Sequence, residues 1–147
     1  MARIATLLFI GLFLGTIGSL SAQSPSEMVA ICANQVGDDA TYLKDFHVKL
    51  GVAVEGRPQV ARYPLVLSSN TVYRFSICDM ESSEGKGVIK LYDGNNLIFS
   101  SISNETKEEI NPFNFICRKT GIYHVLISFQ DGKPGEAVGI LSQVNNK

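Results

Sequence analysis

Residues 62–77 read RYPLVLSSNTVYRFSI, and apolar side chains recur at every second position on both sides of the polar segment 68–70. The recurring side chains are, in chain order, Tyr63, Leu65, Leu67, Tyr73, Phe75 and Ile77. A period of two residues is typical of β-strands that bury one face. The stretch therefore predicts two strands separated by a short polar connection.

The same period governs most of the chain from about residue 46 onward. Six further candidate strands cover residues 46–50, 88–92, 97–101, 113–118, 122–129 and 137–144. Segments rich in Gly, Asn, Asp and Pro lie between several of them and favour turns. Eight short strands predict an all-β fold, an antiparallel jelly-roll-like β-sandwich. Pro64 has no N–H to donate, so we expect it on an edge strand or at a bulge.

A short helix is predicted before the strands, over about residues 25–36. Ser24 can cap it, Pro25 suits its first position, and Glu27 completes a capping-box pattern. Apolar residues then recur at spacings of three and four, and Gly37 stands where a left-handed residue ends many helices. The apolar stripe predicts that the helix docks against the sheet.

The first 22 residues have the pattern of a secretory signal peptide. Arg3 precedes an apolar run over residues 4–17, and small residues follow up to Ala22. Cleavage after Ala22 leaves residues 23–147 as a single β-sandwich domain, and cleavage after Ser21 is the alternative. We expect a secreted or periplasmic protein with no membrane span once the signal peptide is removed.

The chain has three cysteines, Cys32, Cys78 and Cys117. In an oxidising compartment two of them are expected to pair. Strand parity favours a bridge between Cys32 and Cys117, because Cys117 continues the apolar face of Phe113 whereas Cys78 shares the polar face of Arg74. Three reduced cysteines packed as small apolar residues are the alternative.

Two motifs lie in the second half of the chain, Leu91-Tyr92-Asp93 and Thr120-Gly121-Ile122-Tyr123-His124-Val125. Over roughly residues 62–129 they resemble the bacterial pre-peptidase C-terminal (PPC) domain. The resemblance implies a small secreted jelly-roll sandwich that accompanies exported enzymes and is not itself catalytic. The chain departs from this family at Gly85-Lys86-Gly87, where the family has acidic residues, so no family metal site is carried over. As a whole the chain also resembles small exported bacterial proteins of unassigned role.

The sequence contains no recognisable catalytic constellation, and we predict no enzyme activity, no catalytic residue and no cofactor. The two histidines, His47 and His124, lie far apart, and there is no Cys-x-x-Cys pair of the kind that holds zinc. Asp38, Asp39 and Asp93 are the candidate ligands for calcium, because their loops are rich in oxygen ligands. Such residues also occur at turns for conformational reasons alone.

The charge pattern argues against a nucleic-acid partner. The chain has 13 basic and 14 acidic residues, a formal net charge of −1, and a nucleic-acid-binding surface needs concentrated positive charge. Tyr92 is one aromatic residue expected to face outward, with Val88 and Lys90. We expect a non-catalytic exported β-sandwich protein that binds an extracellular or envelope macromolecule, a protein or a glycan, through its loops. The alternatives are a small secreted hydrolase or inhibitor with an unrecognised site, or a carbohydrate-binding module.

Overall fold

The computed structural model describes residues 24–145. The predicted signal peptide, residues 1–22, and its cleavage site lie outside the described residues. In chain order the elements are α1 (Pro25–Asn34), β1 (Ala40–Leu50), β2 (Ala61–Leu67), β3 (Thr71–Asp79), β4 (Gly87–Asp93), β5 (Asn96–Ser100), β6 (Phe113–Cys117), β7 (Gly121–Phe129), a 3₁₀ turn (Gln130–Gly132) and β8 (Gly135–Val144). These elements confirm the predicted all-β fold of eight strands with a short helix before them.

The strands form two four-stranded antiparallel sheets. The first sheet has the order β1-β8-β3-β6, and the second has the order β2-β7-β4-β5. Every connection except the one between β4 and β5 passes from one sheet to the other, which is the two-sheet arrangement of a jelly roll. Pro64 lies on β2, an edge strand of the second sheet, as its missing N–H predicted.

The main core lies between the inner faces of the two sheets. Phe46 and Phe75 contribute from the first sheet, and Leu91, Val125 and Ile127 contribute from the second. Each of these five side chains is at most 2% exposed. The alternation first seen in residues 62–77 therefore sorts inward from outward side chains, because successive strand residues point to opposite faces.

The first strand begins earlier than its hydrophobic pattern indicates. β1 pairs with β8 from Ala40, which lies opposite Val144, and a bulge interrupts the pairing between Tyr42 and Lys44. The residues before Phe46 are mostly exposed on this edge strand, and the bulge breaks their period of two. Backbone pairing with β8, rather than burial, accounts for this part of the strand.

Helix α1 packs on the outer face of the first sheet. The Ser24 hydroxyl accepts a hydrogen bond from the Glu27 N–H at 3.3 Å, as expected for a helix cap. The helix ends at Asn34, two residues earlier than predicted, and Gly37 then adopts the predicted left-handed φ of 101°. A second, smaller apolar cluster lies beneath the helix and consists of Met28, Cys32, Val36, Val138 and Ile140.

The predicted bridge between Cys32 and Cys117 is wrong, because Cys32 pairs with Cys78 across a Cα–Cα distance of 6.1 Å. That distance lies in the ordinary disulfide range. The parity assignments themselves were right: Cys117 lies inside the sandwich and is fully buried as a free thiol, and Cys78 lies on the outer face of β3. The outer face of β3 is not exposed to solvent at Cys78, because helix α1 covers it there and carries Cys32.

We expect reduction or loss of this bridge to destabilise the protein. The Cys32→Ser/Cys78→Ser variant should lose about 2–4 kcal/mol of unfolding free energy in urea titrations, the usual worth of a bridge that closes a long loop. Thiol counting on the denatured, unreduced wild type should find one thiol, and Cys117→Ala should leave none. Three thiols in the wild type, or two remaining in Cys117→Ala, would contradict the pairing.

Candidate functional site

The outer faces of the two sheets differ in what covers them. Helix α1 lies over part of the first sheet, whereas within residues 24–145 no helix or strand packs over the outside of the second sheet. Large apolar side chains are exposed there, with Val66 75% and Ile122 62% exposed and opposite each other in the pairing of β2 with β7. We call the outward side chains of β2, β7, β4 and β5 the open face.

One row of the open face carries two aromatic side chains, His124 and Tyr92. His124 of β7 lies opposite Pro64 of β2 on one side and Tyr92 of β4 on the other, and Tyr92 lies opposite Leu97 of β5. The structure thus confirms that Tyr92 points outward with Lys90. A half-exposed tyrosine ring with a leucine beside it is a common kind of contact surface for ligands.

The next row carries two cations. Leu126 lies opposite Arg62 on one side and Lys90 on the other, so the two cations stand two strands apart, with Cα atoms roughly 10 Å from each other. Lys90 is half-buried. No carboxylate among residues 24–145 forms an ion pair with either of them.

Two cavities open on this face, one with Lys90 in its wall and the other with Arg62 in its wall. The larger, about 430 Å³, has Lys90 and Lys107 in its wall together with the polar residues Asn104, Ser128, Gln130 and Asp131. It forms where the connection from β5 to β6 folds over the sheet and buries Val88 and Ile102 at its floor. The smaller, about 180 Å³, is lined by Arg62, Tyr92, Gly94, Asn95 and Leu126.

A different polar cluster lies on β1 and β8. The Glu136 carboxylate is 2.7 Å from His47 Nε2 and 3.2 Å from Lys49 Nζ, and the hydrogen bond with His47 followed by the bond with Lys49 holds the pKa of Glu136 below its ordinary value of 4.5. A cavity of about 240 Å³ lies beside this carboxylate. A histidine and carboxylate also form part of hydrolytic triads.

No triad is completed around either histidine in the described part of the chain. Neither His47 nor His124 shares a hydrogen bond with a hydroxyl or thiol among residues 24–145, and the Ser83 hydroxyl beside the cluster bonds only with the backbone of Gly85 and Glu136. Nucleophilic catalysis needs such a base within reach of the attacking group. The cluster is therefore explained as an ion-paired group that joins two strands.

The aspartates considered for calcium lie on different sheets. Asp39 precedes β1, and its carboxylate accepts hydrogen bonds from both terminal nitrogens of Arg74 at 2.6 and 2.9 Å. Arg74 also donates to the Val36 carbonyl, which ties the end of α1 to the first sheet. Asp93 ends β4 in the second sheet, and no metal-binding group of three His, Cys, Asp or Glu side chains occurs within residues 24–145. Calcium at Asp38, Asp39 or Asp93 stays a prediction.

The Thr-Gly-x-Tyr motif has an architectural role in this fold. The Tyr123 hydroxyl donates to the Lys119 carbonyl four residues upstream at 2.7 Å, as in a tyrosine corner, and burial raises the pKa of Tyr123 to about 12. The Thr120 hydroxyl oxygen accepts from the Ser69 N–H at 2.8 Å, which joins the β2–β3 and β6–β7 connections. The motif thus holds two loops together.

Sequence reasoning named Tyr92 but missed Arg62 and Lys90 as partners in one site. Both cations stand at outward positions of their strands, which is the signal that parity offers. Their proximity depends on β7 lying between β2 and β4. The alternation of side chains along a strand does not predict this strand order.

Comparisons with known proteins give no family or relative for this chain. No protein-family model matches it, and no curated protein shows significant sequence similarity to it. Among the described residues, no helix has the length and apolar character that crossing a membrane requires.

Tyr123→Phe should destabilise the fold by about 1 kcal/mol, the usual net worth of a hydrogen bond. Urea unfolding would measure it. Tyr92→Phe is the matched control, since its exposed hydroxyl bonds to none of the described residues, and its change should stay within about 0.5 kcal/mol. Equal effects of the two substitutions would contradict the assigned role of Tyr123.

The Glu136 cluster predicts a pH-dependent contribution to stability. Because folding lowers the pKa of Glu136, its carboxylate stabilises the fold above the ordinary value of 4.5, and this contribution disappears as the pH falls through the folded pKa. Glu136→Gln should cost about 0.5–1.5 kcal/mol at pH 7 in urea unfolding, and much less near pH 3.

Glu84→Gln is the control for this effect, because Glu84 lines the same cavity and forms no hydrogen bond or ion pair with the described residues. Its stability should follow that of the wild type at both pH values. A cost of Glu136→Gln that is the same at pH 7 and pH 3 would contradict the assignment.

Proposed function

We propose that the protein is a non-catalytic, exported binding module that holds an extracellular or envelope macromolecule on its open face. The observation that carries the proposal is the contrast between the two outer faces. The first sheet is partly covered by helix α1, and the second presents a ring, exposed apolar side chains and two unpaired cations around two cavities. Exposed apolar surface with polar surroundings marks interaction sites on other proteins.

The shape of the open face favours binding over catalysis. Its cavities open to the surface, and their walls combine strand residues such as Lys90 with residues of the bordering loops such as Asn104. Loops at a sheet margin are where such scaffolds carry variable binding residues. The ligand would thus contact both the strands and the loops around them.

Two observations support export. The first 22 residues have the pattern of a cleaved signal peptide. The bridge between Cys32 and Cys78 is of a kind that persists in oxidising compartments and is rare in the cytosol. Together they favour a secreted or periplasmic protein whose partner lies outside the cytoplasm.

A paired-variant capture experiment tests the proposal. The Lys90→Gln/Tyr92→Ala variant removes a cation and a ring from the open face, and Tyr42→Ala/Lys44→Gln removes the same groups at the same spacing from β1 of the first sheet. Each immobilised protein is exposed to glycans and proteins from the envelope and secreted fraction of the source cells. We expect the wild type and the β1 variant to retain the same ligand, and the open-face variant to retain at least tenfold less.

Two results would overturn this proposal. Equal retention by all three proteins would place binding elsewhere on the molecule. Retention of nothing above background, together with turnover of a substrate by the wild type, would favour the secreted hydrolase. Circular dichroism of each variant would verify that it is folded.

A further inference from the structure

In the cation row of the open face, neither cation has a counter-charge among the described residues. Lys90 is half-buried in the middle of the sheet, yet neither it nor Arg62 forms an ion pair within residues 24–145. Most basic side chains of residues 24–145 likewise form no ion pair, and what distinguishes this site is the placement of two cations on one row with Lys107 in the wall of the neighbouring cavity. An anionic ligand could form charge-assisted hydrogen bonds with both cations.

The surroundings of Lys90 require more than negative charge from the ligand. The 430 Å³ cavity brings together a hydroxyl, two amides, a second lysine and the carboxylate of Asp131. A carboxylate accepts hydrogen bonds and repels anions, whereas an amide both donates and accepts. A ligand that suits this wall carries hydroxyl donors beside its anionic groups.

The other cavity offers contact to an apolar ring face. Tyr92 and Leu126 line it together with Arg62 and Asn95. From Val88 to Tyr92 the face extends over roughly 13 Å along β4, at the usual rise per strand residue. This length exceeds a single sugar ring and suits a chain of linked units that passes from one cavity to the other across the cation row.

The position of the face within the sheet disfavours an extended peptide. Peptides commonly bind sheets by adding a strand to a free edge, where main-chain groups are unpaired. β4 and β7, which carry Lys90 and Leu126, are internal strands with a neighbour on both sides. Their main-chain groups are already paired, so these two strands offer a ligand only their side chains.

Resting on the proposed function, we infer that the ligand of the open face is an acidic polysaccharide, whose carboxylate or sulfate groups pair with Lys90 and Arg62. Its sugar hydroxyls bond with the polar wall of the larger cavity, and one sugar ring lies against Tyr92. The negative charge of such a ligand complements the positive charge of the two unpaired cations.

Calorimetry with defined polymers tests the inference. The probes are polygalacturonate and dextran sulfate as carboxylate and sulfate polymers, unmodified dextran as the neutral polymer, and polyglutamate as the acidic polypeptide. We expect the wild type to bind at least one acidic polysaccharide at least tenfold more tightly than dextran or polyglutamate. Comparison of polygalacturonate with dextran sulfate identifies whether the preferred anionic group is a carboxylate or a sulfate. Raising the salt concentration should weaken the binding.

Charge-matched variants separate the site from general attraction. Arg62→Gln/Lys90→Gln should weaken binding of the acidic polysaccharide at least tenfold. Lys44→Gln/Lys119→Gln removes the same net charge elsewhere and should change it less than twofold. Tyr92→Ala should also weaken binding, by about tenfold, because the ring contact is lost.

The outcomes that overturn the inference differ from those that overturn the proposed function. Binding of dextran or polyglutamate as tight as that of the acidic polysaccharides, equal effects of the two double variants, or no binding of any polymer would each reject the acidic-polysaccharide ligand. If the open-face variant still retains less native ligand than the wild type in the capture experiment, the protein is a binding module whose ligand belongs to another class. If neither experiment responds to open-face substitutions, both proposals are rejected.

Discussion

Helix α1 buries Met28, Cys32 and Val36 against Val138 and Ile140, and this contact makes the two sides of the sandwich unequal. The two sheets bury their inner faces against each other, as any sandwich must. Without the helix, each sheet would also present one unpartnered outer face. The apolar contact and the bridge to Cys78 cover part of one of them, whereas no helix or strand within residues 24–145 packs over the open face.

Strand periodicity predicted most of the fold because burial of alternate residues is a local property of the chain. The pattern in residues 62–77 identified β2 and β3, and the missing donor of Pro64 identified an edge strand. The alternation did not predict the start of β1, because backbone pairing with β8 and a bulge determine where this strand begins. The disulfide was not predicted for another reason. Strand alternation assigns Cys78 to one face of β3 but does not show which element covers that face.

The candidate site was less predictable than the fold, because it depends on strand order. Arg62 and Lys90 belong to strands that are distant along the chain, and β7 brings them into one row with Leu126 between them. Tyr92 was recognisable from parity alone. By contrast, the resemblance motif around Tyr123 drew attention to residues whose hydrogen bonds are structural, with Lys119 and Ser69 as their partners.

The placement of Lys90 and Leu126 on the two central strands has a thermodynamic consequence. Each of these strands is hydrogen-bonded on both sides, so its backbone has already lost its conformational freedom when the protein folds. The outward side chains of these strands therefore stand on a backbone that is already fixed, and a ligand bound to them would restrict mainly side-chain rotamers. For the proposed ligand, the two central strands therefore offer a preformed template.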